Sequence, residues 1–512
     1  MAAVQSRIGG IFGLFLLLLL LAAGRTLYLG VLHGASLRQV ASNQQLTSET
    51  VTAQRGTISD RNGVDLAVSE PAQDISADPY LLKDPLGASQ RLAPLLGMPQ
   101  ASVLRKLSER RGFVYLARAL PAKAAQQVLA LKLPGIAGTQ VMRRVYPRGT
   151  LAAQVLGMVG TDGRGLAGLE YSRDALLRGH SGRREVVSDA IGQPVSIDEV
   201  SPEVPGPSLS LTLDANIQQR TEDVLGAVGR VFSPKDATAI VMDPGTGAVL
   251  AMANWPQVNA NEPGSSSASA IENRAVGFAY EPGSTFKAFT VSGALQQGLA
   301  TPSSTFNVPD LIHVADRTIH DDTEHAEETL TTGQILARSS NVGAIRIGML
   351  EGATRFNRWV HAFGFGAPTG IELPGEEMGV TLPLDRYSGS SMGNLPIGQG
   401  ELVTPIQMAA AYSAIANGGI LRHPYIVSSV GGRPRRGSAG RRVISASTAA
   451  ALRQMLEGVL APGGTASEVS IPRYQLAGKT GTASKIDHAT GEYSKTARSG
   501  VEPQAAVRGR RR

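Results

Sequence analysis

The sequence predicts an α+β protein in three parts: an N-terminal membrane helix, an elongated α/β region, and a domain with an antiparallel sheet and helices on both sides. Residues 8–24 carry no charge and include six consecutive leucines. Short strand and helix patterns alternate from residue 25 to residue 206. Beyond residue 207, strand patterns at both ends enclose a helix-rich stretch, which is typical of an α+β domain.

The composition narrows the possible functions. The 512 residues are enough for two or three domains. The absence of cysteine excludes disulfides, thiolate metal sites and a cysteine nucleophile. The net charge of +7 favours anionic lipid surfaces and carboxylate-rich wall polymer. Because the positive residues are spread out and lack interleaved aromatic residues, nucleic acid is not expected as a partner.

The N-terminal segment predicts a membrane anchor over residues 8–24, flanked by Arg7 and Arg25. Its length is at the short end of the roughly 17–25 residues that a spanning helix needs. A cleaved signal peptide is the alternative, because Ala22-Ala23-Gly24 could be a cleavage site. A retained anchor would leave residues 1–7 in the cytoplasm and most of the chain outside it.

The elements that follow are predicted from local patterns. A polar, helix-prone stretch extends to Glu49, and Arg55 to Gly63 predicts a strand that ends in an Asn-Gly hairpin turn. Residues 202–208 are predicted to be a linker. Later elements are a strand at 209–214, a helix at 216–228, a hairpin of 238–242 with 248–252, a helix at 447–460 and a strand at 474–484.

The first candidate for chemistry is the pair Ser284 and Lys287, three residues apart at the start of an amphipathic stretch. One helical turn is about 3.6 residues, so the hydroxyl and the amine project from the same face. A neutral lysine can accept the proton of the serine as the serine attacks a carbonyl. Burial and a nearby cation, for which Lys479 is the candidate, would lower the pKa of Lys287. Alone, the motif is more often a helix start capped by serine.

Two further motifs follow in order, Ser339-Ser340-Asn341 and Lys479-Thr480-Gly481-Thr482. The first can place a hydroxyl and an amide in a cleft, for proton relay and substrate binding. The second puts a cation and two hydroxyls on one strand, where Gly481 leaves room for a substrate. Each motif alone is more often an ordinary turn or strand. Together with Ser284 and Lys287, they form the trio of penicillin-binding proteins and serine β-lactamases, which indicates an acyl-transfer enzyme.

Several histidines and acids raise the question of a metal site. His320-Asp321-Asp322 lies between His313 and His325, and these residue types can bind metals. The surrounding run is rich in glutamate, so a solvated loop is the favoured interpretation. The sequence therefore predicts no metal site in this segment.

The chain resembles the class B penicillin-binding proteins, the monofunctional peptidoglycan D,D-transpeptidases, and among them the division type. The resemblance runs nearly end to end. Besides the three motifs, the resemblance rests on short segments at residues 55–58, 60–63, 168–171, 211–214, 273–276, 398–400, 404–407 and 477–478.

This resemblance implies a domain order. Residues 1–7 would be a cytoplasmic tail, 8–24 a single transmembrane anchor, 25–206 a pedestal domain of the dimerisation type, and 207–497 the transpeptidase domain. The protein would lie in the cell membrane with its bulk extracytoplasmic. Implied partners are peptidoglycan stem peptides, β-lactams, a polytopic glycan polymerase and other division proteins. The resemblance implies no metal and no organic cofactor.

The resemblance also implies a role for each motif. Ser284 would attack the penultimate D-Ala of a stem peptide, with Lys287 as the general base, and an amine from a neighbouring strand would resolve the acyl-enzyme. Ser339 and Asn341 would support proton transfer and bind a substrate amide.

The third motif would bind the end of the substrate. Lys479, Thr480 and Thr482 would hold the terminal carboxylate, beside Gly481. The backbone N–H groups of Ser284 and Thr482 would form the oxyanion hole.

The chain departs from the family pattern after residue 497. Residues 498–512 form a basic tail without a strand or helix pattern, which suggests a truncation or frameshift and leaves domain 207–497 incomplete. Two strands and a final helix would be missing, so the strand that carries Lys479 would lose a partner at one edge. The expectation is reduced or absent activity.

Other functions stay open at this point. An elongation-type class B transpeptidase is the nearest alternative. A secreted β-lactamase or D,D-carboxypeptidase fits less well, since neither needs an anchor and a pedestal. The non-enzymatic alternative is a membrane-anchored division scaffold with a defective catalytic domain.

Overall fold

The computed structural model describes residues 2–29, 46–188, 194–435, 437, 440–486, 493–501 and 506–508. Two compact units emerge from the contacts within the chain. One unit combines Met1–Arg55 with Arg178–Gly206, and the other combines Gly56–Leu177 with Pro207–Arg512.

The first unit begins with a long apolar helix, Ala2–Leu27. Within it, Gly9–Leu27 has a mean hydropathy of 2.1 over 19 residues. This length suffices to cross the hydrocarbon core of a bilayer. The predicted N-terminal apolar helix is thus confirmed, and it reaches further in both directions than 8–24.

The first unit also contains an antiparallel sheet of three strands. Gly182–Ser188 is the middle strand, between Leu46–Val51 and Pro194–Ser201. The prediction of a helix-prone stretch up to Glu49 is wrong at its end, because Leu46 already begins a strand. The rest of that stretch, residues 30–45, lies outside the described residues.

A mixed sheet of seven strands organises one part of the second unit. The hairpin predicted at Asn62-Gly63 is confirmed, since Ile58–Ser59 pairs antiparallel with Asp65–Ala77 around it. Gly63 adopts a positive φ of 83°, which an Asn-Gly turn requires. The strand order is Arg433–Pro434, Val427–Val430, Leu209–Leu211, Ile58–Ser59, Asp65–Ala77 and Val114–Pro121, with Ile136–Val145 also on Asp65–Ala77.

This sheet joins distant parts of the sequence. Leu209–Leu211 pairs in parallel with Ile58–Ser59 and antiparallel with Val427–Val430. The buried carboxylate of Asp60 accepts hydrogen bonds from the backbone N–H groups of Val64 at 2.8 Å and Ala215 at 3.0 Å. A buried acceptor with several N–H donors holds such a junction rigidly. Strands from both sides of the predicted boundary at residue 206 therefore share one sheet, and the boundary itself stays a prediction.

The helices before residue 206 cover one part of this sheet. Pro85–Leu96, Gln100–Leu107 and Ala122–Ala130 pack through a buried cluster that includes Leu92 and Val128. The shorter helices there are Ala153–Leu156, Gly168–Ser172 and Asp174–Leu177, with a 3₁₀ turn at Pro79–Leu81.

The predicted hairpin after residue 236 is confirmed as Ala237–Met242 paired with Val249–Trp255. The predicted helix before it runs from Ala215 to Phe232 and is capped by the Asp214 carboxylate. The strand predicted at 209–214 ends at Leu211.

The helical part of the second unit surrounds Lys287–Gln296, in which every residue from Lys287 to Ala294 is buried. Phe289 lies at its centre, with ring centroids 5.1 Å from Phe365 and 5.2 Å from Tyr412. Each fully buried side chain of this size contributes about 1.5–3 kcal/mol through burial. The aromatic core therefore fixes the helix that carries Lys287.

The remaining elements complete this unit. The helices are Ala268–Ile271, Arg274–Gly277, Thr332–Arg338, Asn341–Glu351, Ala353–Ala362, Ser391–Asn394, Pro405–Ala416 and Ala446–Glu457. The 3₁₀ turns are Pro263–Ser265, Gly283–Phe286, Leu384–Arg386 and Leu395–Ile397. Short antiparallel pairs join Thr305–Val308 to Glu328–Thr331, Leu311–Val314 to Arg317–His320, and Ile420–Leu421 to Arg441–Arg442.

The C-terminal strands correct two predictions. The strand predicted at 474–484 is interrupted at residues 478–480, which separates Gln475–Ala477 from Gly481–Ile486. Gly481–Ile486 pairs antiparallel with Tyr493–Val501, and Gln475–Ala477 pairs with Ala506–Arg508.

The prediction that residues 498–512 contain no strand is therefore wrong for the part that the structure describes. Strand pairing uses backbone N–H and C=O groups, so a stretch without hydrophobic alternation can still add to a strand. The expected loss of a partner for the strand at Gly481 is wrong for the same reason, and the expectation of reduced activity loses that basis. The absence of a final helix is not tested by the described residues.

Candidate active site

Ser284 lies in the 3₁₀ turn Gly283–Phe286, directly before the helix that begins at Lys287. Gly283 has a positive φ of 53°, and a Cβ there would lie 2.6 Å from the carbonyl oxygen of Thr482. Only glycine tolerates both constraints. Ser284 is half-buried, while Phe286 and Lys287 behind it are buried. The turn thus holds the hydroxyl at the edge of the core.

The loop at Gly398 supports this turn from the other side. The N–H of Gly283 donates to the carbonyl of Gly398 at 3.0 Å. A Cβ on Gly398 would lie 2.3 Å from the carbonyl oxygen of Gly283. The Glu281 carboxylate accepts the N–H of Gly400 at 2.9 Å. Two backbones in such close contact leave the nucleophile turn little freedom.

Lys287 connects the first two motifs. Its side chain is 1% exposed. Nζ donates to the backbone carbonyl of Ser339 at 2.5 Å, to Ser339 Oγ at 3.2 Å and to Asn341 Oδ1 at 2.6 Å. None of these three bonds goes to Ser284. The structure therefore brings Lys287, Ser339 and Asn341 together, with Ser284 one turn away along the chain.

The electrostatics of the two lysines differ from those of exposed lysines. Burial lowers the pKa of Lys287 to about 8, and the charges of Asp322 and Asp321 limit this decrease. Burial and the Lys287 cation together lower the pKa of Lys479 to about 6. Because desolvation penalises the charged amine, Lys479 loses its proton first, and Lys287 retains its proton up to a higher pH.

The second motif lies where two helices meet. Thr332–Arg338 starts with a capping box at Thr331 and ends at Ser339, whose positive φ of 61° stops the helix. Ser340 caps the next helix, because its Oγ accepts the N–H of Gly343 at 2.9 Å. Ser339 and Asn341 are thus both parts of a helix–helix turn and partners of Lys287.

The orientation of the Asn341 amide follows from its neighbours. Its Nδ2 donates to the carbonyl of His320 at 2.9 Å and to Asp322 Oδ1 at 3.3 Å. Both are acceptors, so the Nδ2 group must face them and Oδ1 must face Lys287.

The acidic segment beside this motif, which the sequence predicts to be a solvated loop, is exposed at Asp322 but not at Asp321. The side chain of Asp321 is 8% exposed and is not solvated as predicted. Its carboxylate accepts hydrogen bonds from Ser340 Oγ at 2.7 Å and from the N–H of Val342 at 2.9 Å. It also lies 3.1 Å from His325 Nε2. No sequence signal marks it, because the contacts join residues that a strand and a helix separate.

The structure gives no support for a metal ion at these histidines. Within the described part of the chain, no group of three His, Asp or Glu side chains could hold a metal. Asp321 instead satisfies backbone and hydroxyl donors at the start of Asn341–Glu351, where a negative charge is also favourable.

The third motif lies in the interruption between two strands. Lys479 is fully buried, and its Nζ donates to the carbonyl of Thr480 at 3.1 Å. A Cβ on Gly481 would lie 2.6 Å from Thr285 Cγ2, so glycine allows this segment to approach the nucleophile turn. Thr482 is exposed.

Thr480 has a partner that the sequence did not indicate. Its hydroxyl lies 2.7 Å from the hydroxyl of Thr465. The backbone N–H of Thr465 donates to the carbonyl of Ala337 at 3.2 Å, two residues before Ser339. Thr465 thus connects the third motif to the second.

Two family models match this chain. A model of the penicillin-binding protein transpeptidase domain matches residues 237–502, and one of the penicillin-binding protein dimerisation domain matches residues 50–211.

Two relatives match over most of the chain. Penicillin-binding protein PbpB of Mycobacterium tuberculosis is 35% identical over 514 residues, covering 93% of this chain and 75% of the relative. Peptidoglycan D,D-transpeptidase FtsI of Escherichia coli K12 is 33% identical over 482 residues, covering 93% and 80%.

Solved structures share the fold. Penicillin-binding protein 3 of M. tuberculosis in its apo form has a TM-score of 0.69 at 30% identity, covering 90% of each chain. Penicillin-binding protein 2X of Streptococcus thermophilus has a TM-score of 0.72 at 25% identity, covering 88% of this chain and 73% of that one. With both domains matched and 35% identity to a relative across most of its length, the chain belongs to the class B penicillin-binding proteins.

Proposed function

We propose that the protein is a serine-type peptidoglycan D,D-transpeptidase that crosslinks stem peptides through an acyl-enzyme during septal wall synthesis and binds penicillin. The observation that carries this proposal is the buried Lys287, with a pKa lowered to about 8 and direct hydrogen bonds to Ser339 and Asn341. FtsI, a relative, is named a peptidoglycan D,D-transpeptidase. A relative from the solved structures is complexed with ampicillin.

In the first step, Ser284 Oγ attacks the carbonyl of the penultimate D-Ala. Its proton passes to Lys287, and the terminal D-Ala leaves as an amine that takes up a proton. The backbone N–H groups of Ser284 and Thr482 hold the oxyanion. The short distance that Gly283 and Gly481 permit between their segments supports this pairing.

Proton transfer follows from the bonding of Lys287. Three acceptors around Nζ match the three donors of an ammonium group. A neutral amine has two N–H donors and one lone pair, so one contact must change when Lys287 acts as a base. Ser339 Oγ can reverse its role and donate, because a hydroxyl is both donor and acceptor. Ser339 is therefore the residue through which a proton can reach the leaving amine.

The third motif holds the substrate carboxylate. Lys479, with a pKa of about 6, is mostly neutral in the empty site at neutral pH. A carboxylate beside it favours the charged form, so binding and protonation of Lys479 occur together. Thr480 and Thr482 supply hydroxyl donors beside it.

The apolar helix of the first unit supports the proposed location. The apolar helix Ala2–Leu27 would anchor the protein in the cytoplasmic membrane as a single span, with the bulk of the chain outside. A polytopic glycan polymerase and other division proteins would be its partners there. A role in division is favoured over elongation, since relatives carry the names FtsI and PbpB.

The test is acylation of the purified protein by a fluorescent penicillin. We expect one label per chain that survives denaturation, and no label on Ser284→Ala. Ser269→Ala, on the short helix Ala268–Ile271, is the matched control and should label like the wild type. A folded wild-type protein that takes up no label would contradict the proposal, as would equal labelling of Ser284→Ala.

A further inference from the structure

The segment that follows the strand Arg317–His320 carries two adjacent carboxylates with different surroundings. The side chain of Asp321 is 8% exposed, and its oxygens accept bonds from Ser340, Val342 and His325. Asp322 is exposed, and the hydrogen bond from Asn341 Nδ2 at 3.3 Å connects it to the site. Asp321 therefore supports the fold of the second motif, whereas Asp322 can be changed without removing a buried bond.

Asp322 is two contacts away from the proposed base. Its Oδ1 accepts from Asn341 Nδ2, and Asn341 Oδ1 accepts from Lys287 Nζ at 2.6 Å. An amide has one donor end and one acceptor end, so fixing the donor end also fixes the acceptor end. The alternative orientation would place the NH₂ group against an ammonium group and the oxygen against a carboxylate, which is unfavourable on both sides.

We propose that Asp322 is a positioning residue of this site. Its carboxylate acts together with the His320 carbonyl, which accepts from Asn341 Nδ2 at 2.9 Å, to keep Asn341 Oδ1 directed at Lys287. Its negative charge favours the protonated state of the lysine pair. The inference rests on the proposed function, since it concerns the same proton transfer. It adds a residue outside the three motifs that controls the pH at which the site becomes reactive.

The charges around Lys287 support this assignment. Among the described residues, the charges that act on Lys287 are those of Asp322 and Asp321, and the charges that act on Lys479 are those of Lys287 and Asp322. Asp322 favours the protonated form of both lysines. His325 lies behind Asp321, at 3.1 Å from its carboxylate. Asp322 is thus the exposed member of this charge set.

The experiment uses the wild-type chain and three variants, each assayed for the rate of penicillin acylation between pH 5 and pH 9. Asp322→Asn keeps an oxygen acceptor for Asn341 but removes the charge. Asp322→Ala removes both. Glu324→Gln, an exposed neighbour without a contact to the lysines, controls for loss of a negative charge on the loop.

We expect the acid limb of the Asp322→Asn profile to move to lower pH by about 0.5 unit or more, because a nearby negative charge no longer stabilises the ammonium form. Its plateau should stay within about twofold of the wild type. Asp322→Ala should show the same shift and a lower plateau, about fivefold, from the loss of one oriented hydrogen bond. Glu324→Gln should superimpose on the wild type.

The inference would be overturned if the acid limb of the Asp322→Asn pH profile did not shift, or if it moved to higher pH. A uniform drop of the Asp322→Asn rate at every pH would also overturn it, since that result indicates a structural role only. The proposed function fails separately, because in that case the wild-type chain would not be acylated at any pH.

Discussion

The two buried lysines lie in regions of opposite character. Lys287 begins a helix that is buried along most of its length against Phe289 and its aromatic neighbours, and three hydrogen bonds hold its Nζ. Lys479 lies in a break between two short strands, and the hydrogen bond of its Nζ goes to the carbonyl of the next residue.

This difference between their surroundings suggests different roles for Lys287 and Lys479. A cation with three fixed acceptors is preorganised, so its position does not depend on the substrate. Lys479 forms no ion pair with a carboxylate among the described residues, and its pKa of about 6 means that it is set to gain a proton when an anion binds. Lys287 is thus suited to chemistry and Lys479 to binding.

The largest expected effect comes from removing the base. Lys287→Met should lower the penicillin acylation rate at saturating penicillin by about 10²–10⁴-fold, the range for loss of a general base. Lys235→Met, an exposed lysine near the start of Ala237–Met242, should leave the rate unchanged. A Lys287→Met protein that is folded by circular dichroism and still acylates at the wild-type rate would remove Lys287 from the mechanism.

Lys479→Gln should show a different defect. The apparent affinity for penicillin should fall by about 10- to 100-fold, as expected for the loss of a charge-assisted hydrogen bond of about 1.5–3 kcal/mol. A penicillin esterified at its carboxylate should react with wild type and variant at similar rates. Equal losses for the acid and the ester would contradict a role in carboxylate binding.

The pH dependence of the acylation rate further distinguishes the role of Lys287 from that of Lys479. The base must be neutral, and the pKa of Lys287 is lowered from 10.5 to about 8. Below that pH the neutral fraction falls with each unit, so acylation at saturating penicillin should slow about tenfold between pH 7 and pH 6 and level off above about pH 8. Stopped-flow measurement of the acylation rate from pH 6 to pH 9 tests this prediction. A rate that is flat from pH 6 to pH 9 would contradict the assignment of Lys287 as the base.

A smaller effect is expected at Thr465. Its hydroxyl can donate to Thr480 Oγ and leave the Thr480 proton free for a carboxylate. Thr465→Val should weaken penicillin binding by about fivefold, equivalent to one hydrogen bond of roughly 1 kcal/mol, whereas Thr465→Ser should keep it. A Thr465→Ser variant as weak as Thr465→Val would show that the methyl group, not the hydroxyl, is what matters.

The sequence predicted much of the region around Lys287 and less of the region around Lys479. The Ser284–Lys287 turn, the hairpin after residue 236 and the helix near residue 447 all follow from local periodicity and capping, which act within a few residues. The roles of Asp321, Asp322 and Thr465 could not be predicted, because each acts through a contact between segments far apart in the chain.

The C-terminal strands also could not be predicted from local sequence patterns. Residues 493–501 have no hydrophobic alternation, so no strand was expected after residue 497. The pairing with Gly481–Ile486 uses backbone groups, which every residue except proline provides in full. The break at 478–480 also has no local signal, since Lys479 is placed by its burial beside the nucleophile turn.

The central claim, that the three motifs form a transpeptidase, is tested most directly with a thioester analogue of the stem-peptide end. The purified full-length protein is incubated with this analogue and a D-amino acid acceptor, and the products are identified by mass spectrometry. We expect an acyl-enzyme on the peptide that contains Ser284 and a transfer product that carries the acceptor. An acyl group on another residue, or hydrolysis without any transfer product, would contradict it.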